Sequence, residues 1–298
     1  MASYGEQVSQ PQQEKAMILV TAATAPVGRS IVEQLAAAGT PVRALTRDPS
    51  SAGLPEGAEV VAGDLNDPDS LAAAFDGVTS VFLLAATTGF APAFLKAAAE
   101  AGVRRIVFQS SGAIVDDAEP QPDDIAAFHD DIERQIRASG IEWTFLRLAV
   151  ASADALQWAF DVPGQLEKGD VVRGPWADAQ VSPIHPADFA AVAIAALTDA
   201  GRTDAGHAGH TYAVTGPRSI THAEQIALIG RAHGRDLRYE ELPEEEARKA
   251  ISPYAPADVL FATWSRHRTS PAPVTDTIER LTGRPARTTE EWASSYPI

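Results

Sequence analysis

The sequence predicts an α/β fold, a doubly wound parallel sheet with a smaller, mainly helical lobe at its C-terminal end. Three observations carry this. Short apolar runs alternate with amphipathic stretches from Met17 to about Arg147. Glycines stand where the helical stretches end, at Gly39, Gly102 and Gly140. The alternation then breaks, and the final stretch reads mostly helical. Strands separated by helices at this spacing form right-handed β-α-β units on a parallel sheet.

Taken in order, Met17–Thr21 is the first strand and Val27–Ala38 the first helix. Pro41–Thr46 and Glu59–Ala62 follow as strands. A helix opens at Asp67, with Pro68 suited to its first turn. Ser80–Leu84 is the fourth strand, and Phe90–Ala101 the helix after it. Arg105–Gln109, Asp123–Ala138 and Glu142–Arg147 continue the alternation. Beyond them, "GQLEKGDVVRGPW" reads as a hairpin around Lys168–Gly169. "VSPIHPADFAAVAIAAL" is a short strand and a helix, and "HTYAVTG" a further sheet strand. Thr221–Ala232 is a helix, Asp236–Glu240 a short strand, and the rest from Pro243 is mostly helical. The implied division is a disordered tail over 1–15, a nucleotide-binding core over 16–150, and a mixed segment over 151–298. That last segment completes the sheet and forms a substrate lobe above the carboxyl ends of the strands, where open α/β sheets bind ligands.

Composition narrows the function. The 298 residues carry 40 acidic and 24 basic side chains, a formal charge of -16. That balance argues against nucleic acid and against an anionic membrane surface. Without cysteine there is no disulfide and no thiolate nucleophile. No apolar run approaches the ~20 residues of a membrane span. The polar "MASYGEQVSQPQQEKA" lacks the apolar segment of a signal peptide. The expectation is a cytoplasmic protein, monomer or homodimer, acting on a small molecule.

"ILVTAATAPVGRSIVEQLAAAG" has the shape of a nucleotide-binding turn: strand, short turn, helix. A dinucleotide fingerprint would place glycines at Ala22, Ala25 and Gly28; only the third is present. Gly28 keeps the role of packing the helix on the strand. Ala25 adds a methyl where backbone would meet a pyrophosphate. The helix N-terminus, from Pro26 and Val27, remains an anion site, and Thr24 is placed to cap it. Arg47 ends the second strand, nineteen residues after Gly28. Arginine there suits a 2′-phosphate, as an acid would suit a ribose hydroxyl. The alternative is a solvated arginine paired with Asp48.

Together these segments resemble the NmrA-like branch of the atypical short-chain dehydrogenase/reductases. The motifs are the first β-α unit, usually TGATGxxG, then "VRALTRDP", "VVAGDLNDPDSLAAAFDGVTSVFLL", "AGVRRIVFQSSGA" and "IERQIRASGIEWTFLR". "HTYAVTGPRSITHAEQIALIGRAHGRDLRYEELP" and "VTDTIERLTGRPARTTEEW" extend the likeness to Trp292. The resemblance implies a Rossmann fold, usually with NADP(H). Family members include quinone and enone reductases, enzymes that tailor aromatic polyketides, and regulators that bind NADP without turnover. Departures are Ala22, Ala25 and Leu148, the last standing where the family has proline after "FLR".

The resemblance sets Asp64 and Leu65 along an adenine, although Asp64 also reads as a helix-start acid. Ala85, Ala86 and Thr87 leave room for a ribose. Ser110 stands where short-chain dehydrogenases keep an active-site serine, with Ser111 beside it. No tyrosine has a lysine four residues on, so the usual proton donor is missing. His129 is the candidate in its place, against a structural reading. His185 lies near the expected pocket, with Asp188 capping the next helix or orienting its loop. Phe90, Trp158, Phe160 and Trp176 either wall a site for a flat substrate or pack the smaller lobe. No metal site is expected. The reading is an NADP(H)-dependent reductase of a conjugated carbonyl, a quinone or an aromatic polyketide-type molecule. The alternatives are an NADP-sensing regulator, or a cofactor-free isomerase, cyclase or coupling enzyme.

Overall fold

The computed structural model describes residues 17–198 and 206–296. The expected tail lies outside them. β1 (Met17–Val20) is buried on both faces, as its continuous apolar run requires. It pairs in parallel with β2 (Val42–Thr46) on one side and β4 (Val78–Leu83) on the other. Outside them lie β3 (Glu59–Ala62), β5 (Arg105–Ser111), β6 (Glu142–Leu148) and β9 (His210–Val214). The order is β3-β2-β1-β4-β5-β6-β9, every pairing parallel. The chain therefore reverses its winding between β1 and β4, and a crevice opens there at the carboxyl ends.

One sheet face packs against α1 (Pro26–Ala37), α7 (Pro186–Thr198) and α11 (Thr277–Thr282). The other packs against α2 (Pro68–Ala74), α3 (Ala91–Glu100) and α4 (Asp124–Ala138). Gly39, Gly102 and Gly140 have φ of 63°, 82° and 76°, the left-handed exit their helices need. Leu148, in place of a proline, keeps its N–H, and β6 runs through it with Ser111 and Val214 as neighbours.

A second core fills the smaller lobe. It joins α5 (Ala155–Ala159), α6 (Val162–Leu166), β7 (Val171–Pro175), α8 (His222–Ala232), α9 (Glu244–Ala250), α10 (Ala257–Arg266) and α12 (Thr289–Ser295). The lobe also holds two short sheets. β8 (Gln180–Val181) pairs antiparallel with β10 (Ile220–Thr221), and β7 pairs parallel with β11 (Arg238–Leu242). The expected hairpin at Lys168–Gly169 is thus corrected. Its first arm is helical, started by the Asp161 carboxylate accepting from the Gly164 N–H. β7 finds its partner only much later in the chain.

Candidate dinucleotide cleft and the polar network beside it

A cleft of about 490 Å³ lies at the carboxyl ends of β1 to β4. Its lining includes Ala22, Thr24, Ala25, Arg47, Asp64, Leu65, Ala86 and Thr87 from the sequence-predicted set. Thr21 ties its floor together: the hydroxyl donates to Leu84 O at 3.1 Å and accepts from Leu84 N at 2.8 Å.

The turn accounts for the two missing glycines differently. Ala22 has φ 48°, the left-handed region where a side chain is strained by about 1–2 kcal/mol. A Cβ on Gly28 would collide with the Ala22 carbonyl oxygen, so that glycine is obligatory. Ala25 is extended (φ -72°, ψ 155°), so its backbone needs no glycine. Thr24 does not cap α1, contrary to expectation: Ala25 is the N-cap residue and no side chain caps the helix. The first-turn N–H groups keep the anion-binding character of an uncapped helix start. Pro26 sits in that turn, and Val27 packs on the core.

At the far end of the cleft, Arg47 is exposed and makes no hydrogen bond or ion pair with any other described residue. It does not pair with Asp48. The Asp48 carboxylate is occupied by Ser50 N and by the hydroxyls of Ser50 and Ser51, which hold it below the usual carboxylate range. Asp64 braces its own turn, accepting from Asn66 N at 2.9 Å. Asn66 then accepts from the Thr87 hydroxyl at 3.2 Å, linking the loops after β3 and β4. Sequence reasoning passed over Asn66; its place two residues after Asp64 in a turn was the available signal. Ala85 packs on the core instead of lining the cleft.

Ser110 has a different fate from the one expected. Its buried hydroxyl donates to Glu133 Oε1 at 2.6 Å. Glu133 is fully buried and also accepts from Arg147 Nε (2.9 Å), Arg147 Nη2 (2.8 Å) and Arg137 Nη2 (2.9 Å). Arg147 reaches on to Asp116 at 2.9 Å. These bonds to Glu133 hold the Arg147 guanidinium well above its ordinary pKa. The single O–H of Ser110 is thus directed at Glu133, and Ser110 is not among the residues lining the cleft. Glu133 and Arg147 are the first glutamate and the last arginine of the quoted "IERQIRASGIEWTFLR" segment, but their pairing across two elements was not legible there. Ser111 is the last residue of β5, and its hydroxyl accepts from Ala113 N.

His129 stacks on Phe108, and its Nδ1–H donates to Ile125 O at 2.8 Å. Burial lowers its pKa. The backbone carbonyl takes up the Nδ1–H, and burial disfavours the charged ring that donation from Nε2 would then need. His185 accepts from Ala187 N through Nδ1 at the start of α7. Buried Asp188 accepts from Arg287 N at 2.6 Å and from the Arg287 guanidinium, so it pins the loop before α12. Its role as a cap or loop orienter resolves to that anchoring.

The four aromatic residues do not assemble into one wall. Phe90 is buried in the sheet-lobe core, edge-on to Phe94. Phe160 and Trp176 are buried in the other core. Only Trp158, half-exposed at 50%, presents its ring to solvent. Among the described residues no cluster of three or more His, Asp or Glu side chains could hold a metal. No helix among them is long and apolar enough to cross a membrane.

The chain is similar to known reductases over nearly its whole length. It is 41% identical to a (4-alkanoyl-5-oxo-2,5-dihydrofuran-3-yl)methyl phosphate reductase of Streptomyces griseus, covering 94% of this chain and 98% of that one. It is 33% identical to an NAD(P)H azoreductase of Xenophilus azovorans, with the same coverage. Among solved structures, an NADPH-dependent quinone oxidoreductase of Escherichia coli, complexed with NADPH, superposes with a TM-score of 0.70 at 27% identity. That superposition covers 93% of this chain and 99% of the other. The family model described as the NmrA-like family matches residues 14–268. A match of that extent, on a sheet that reverses between β1 and β4, establishes that the chain belongs to the NmrA-like family.

Proposed function

We propose that the protein is an NADP(H)-dependent reductase of a small conjugated carbonyl compound. The observation that carries this reading is Arg47: an exposed cation without a partner among the described residues at one end of the cleft, with an uncapped helix start at the other. The residues fit the dinucleotide. Arg47 would hold the 2′-phosphate, and the first turn of α1 the diphosphate. Asp64 and Leu65 would lie along the adenine, and Ala86 and Thr87 beside a ribose. When bound, the dinucleotide supplies a hydride. Relatives that reduce a furanone bearing two carbonyl groups, an azo bond or a quinone support an electron-poor, conjugated acceptor.

The side chains favour the same class. A conjugated acceptor spreads the negative charge it receives, so it needs no strong acid. Ser110 has committed its proton to Glu133, and His129 its own to a backbone carbonyl. Proton delivery then falls to solvent. A simple ketone would localise the charge on one oxygen and demand a donor that these residues do not offer.

Turnover tests this. NADPH oxidation is expected with quinones and enones and not with simple aliphatic ketones. Efficient reduction of aliphatic ketones would contradict the account. Tight NADPH binding without turnover on any acceptor would favour the regulator.

A further inference from the structure

The loop after β5 is braced by side-chain bonds from within and tied to Arg147 on the neighbouring strand. It begins at Gly112, whose N–H bonds Leu148 O at 2.8 Å. A side chain on Gly112 would press on Ala149 Cα at 3.0 Å, so the two strand ends are held close. The Gln121 carboxamide braces the loop from within: it accepts from Val115 N at 3.1 Å and donates to Val115 O (3.0 Å) and Ala118 O (3.2 Å). Asp116 then bonds Arg147, which the buried Glu133 grips at two nitrogens. The residue these bonds immobilise is Val115. It is apolar, yet 51% exposed.

Position gives that a meaning. The strand order sets the end of β5 beside the end of β4, which lines the cleft, and before β6, which leads into the smaller lobe. The cleft lining runs from Arg47 and Asp64 to Leu84, Ala86 and Thr87 after β4, so by strand order the β4 end of the cleft is the one next to this loop. Loops lining a site bind more tightly when held in the bound conformation beforehand.

We infer that loop 112–122 forms an apolar wall of the acceptor site, with Val115 as a specificity-determining contact and Arg147 as the positioning residue that fixes it through Asp116. The inference rests on the reductase reading. Its ligand class is a flat, apolar, conjugated carbonyl compound. Glu133 sets the position of Arg147, and Arg147 sets the loop.

The test uses the full chain with menadione as acceptor. Asp116 is 75% exposed, so Asp116→Asn removes the anchor without disturbing the buried pair. It should raise KM for menadione about two- to fivefold, the range that an ion pair of this exposure carries. The kcat and the NADPH affinity should hold, and Asp116→Glu should restore KM. Hydrogen exchange at the amides of residues 113–118 should quicken in Asp116→Asn. Val115→Ser should raise KM for menadione more than for the smaller 1,4-benzoquinone. If the unaltered protein reduces menadione but both variants keep its KM, the wall is refuted. Unchanged exchange in Asp116→Asn would refute the anchor. If the unaltered protein reduces no conjugated acceptor, the reductase reading itself fails, and the wall with it, whatever the exchange shows.

Discussion

Glu133 lies beneath the sheet with four hydrogen bonds to its two oxygens, three of them from arginines. Asp154 lies in the core of the smaller lobe with one, from Trp292 Nε1 at 3.1 Å. Its Oδ1 is buried and unmatched, as are both terminal atoms of Gln157, His222 Nε2 and Gln225 Oε1. Burial pushes Asp154 up to about 7 and His222 down to about 4. Glu133 thus has both oxygens bonded, whereas burial favours the neutral forms of Asp154 and His222. A satisfied buried network gives a rigid support, here for the strand ends beside the cleft. Neutral, under-bonded groups make the second lobe the part whose stability responds to pH.

The largest effect should come from breaking the satisfied side. Arg147→Met leaves Glu133 buried with most of its positive charge gone, a change that costs about 3–5 kcal/mol. Denaturant unfolding should show that loss, and a loss under 1 kcal/mol would mean the network is not structural.

The other side should respond through pH. Asp154 in the folded protein keeps its proton to about 7, while an unfolded aspartate loses it near 3.8. Its stabilisation is therefore full below 3.8 and lost as pH rises through about 7. His222 works the opposite way: its folded value is about 4 against 6.5, so its contribution is full above 6.5 and lost as pH falls through about 4. Between those limits the two slopes oppose each other. Asp154→Asn removes one of them. The variant should gain on the parent as pH rises from 4 to 7, by at most roughly 4 kcal/mol, and level off above. Urea unfolding of both proteins at pH 5 and pH 8 measures the gain, and an equal difference at the two values would show that Asp154 titrates normally.

A smaller effect is expected at the turn. Ala22→Gly relieves the left-handed strain and should stabilise the protein by about 1 kcal/mol, seen as a raised Tm. Ala25→Gly should not, because Ala25 is already relaxed.

The same contrast marks what the sequence disclosed. The sheet was legible because β-α-β units follow one another locally, with a glycine ending each of three helices. Arg47 and the alanine turn were legible because position after a strand fixes their place on the carboxyl edge. The ties between distant segments were hidden. Glu133 and Arg147 are fourteen residues apart on a helix and a strand, and only the packing of α4 on β6 makes them a pair. β7 looked like half of a hairpin because its true partner, β11, is more than sixty residues away. Phe90, Phe160 and Trp176 proved to be core residues, because whether an aromatic ring faces a cleft or a core depends on what packs over it.

The central claim is that the cleft takes NADP(H) and that Arg47 selects it. Calorimetry with NADPH and NADH on the unaltered protein and on Arg47→Ala tests this most directly. The expected result is micromolar or tighter NADPH binding, a preference over NADH of about tenfold or more, worth about 1.4 kcal/mol, and the loss of that preference in Arg47→Ala with NADH affinity unchanged. No NADPH binding at millimolar concentration, or a preference that survives the substitution, would contradict it.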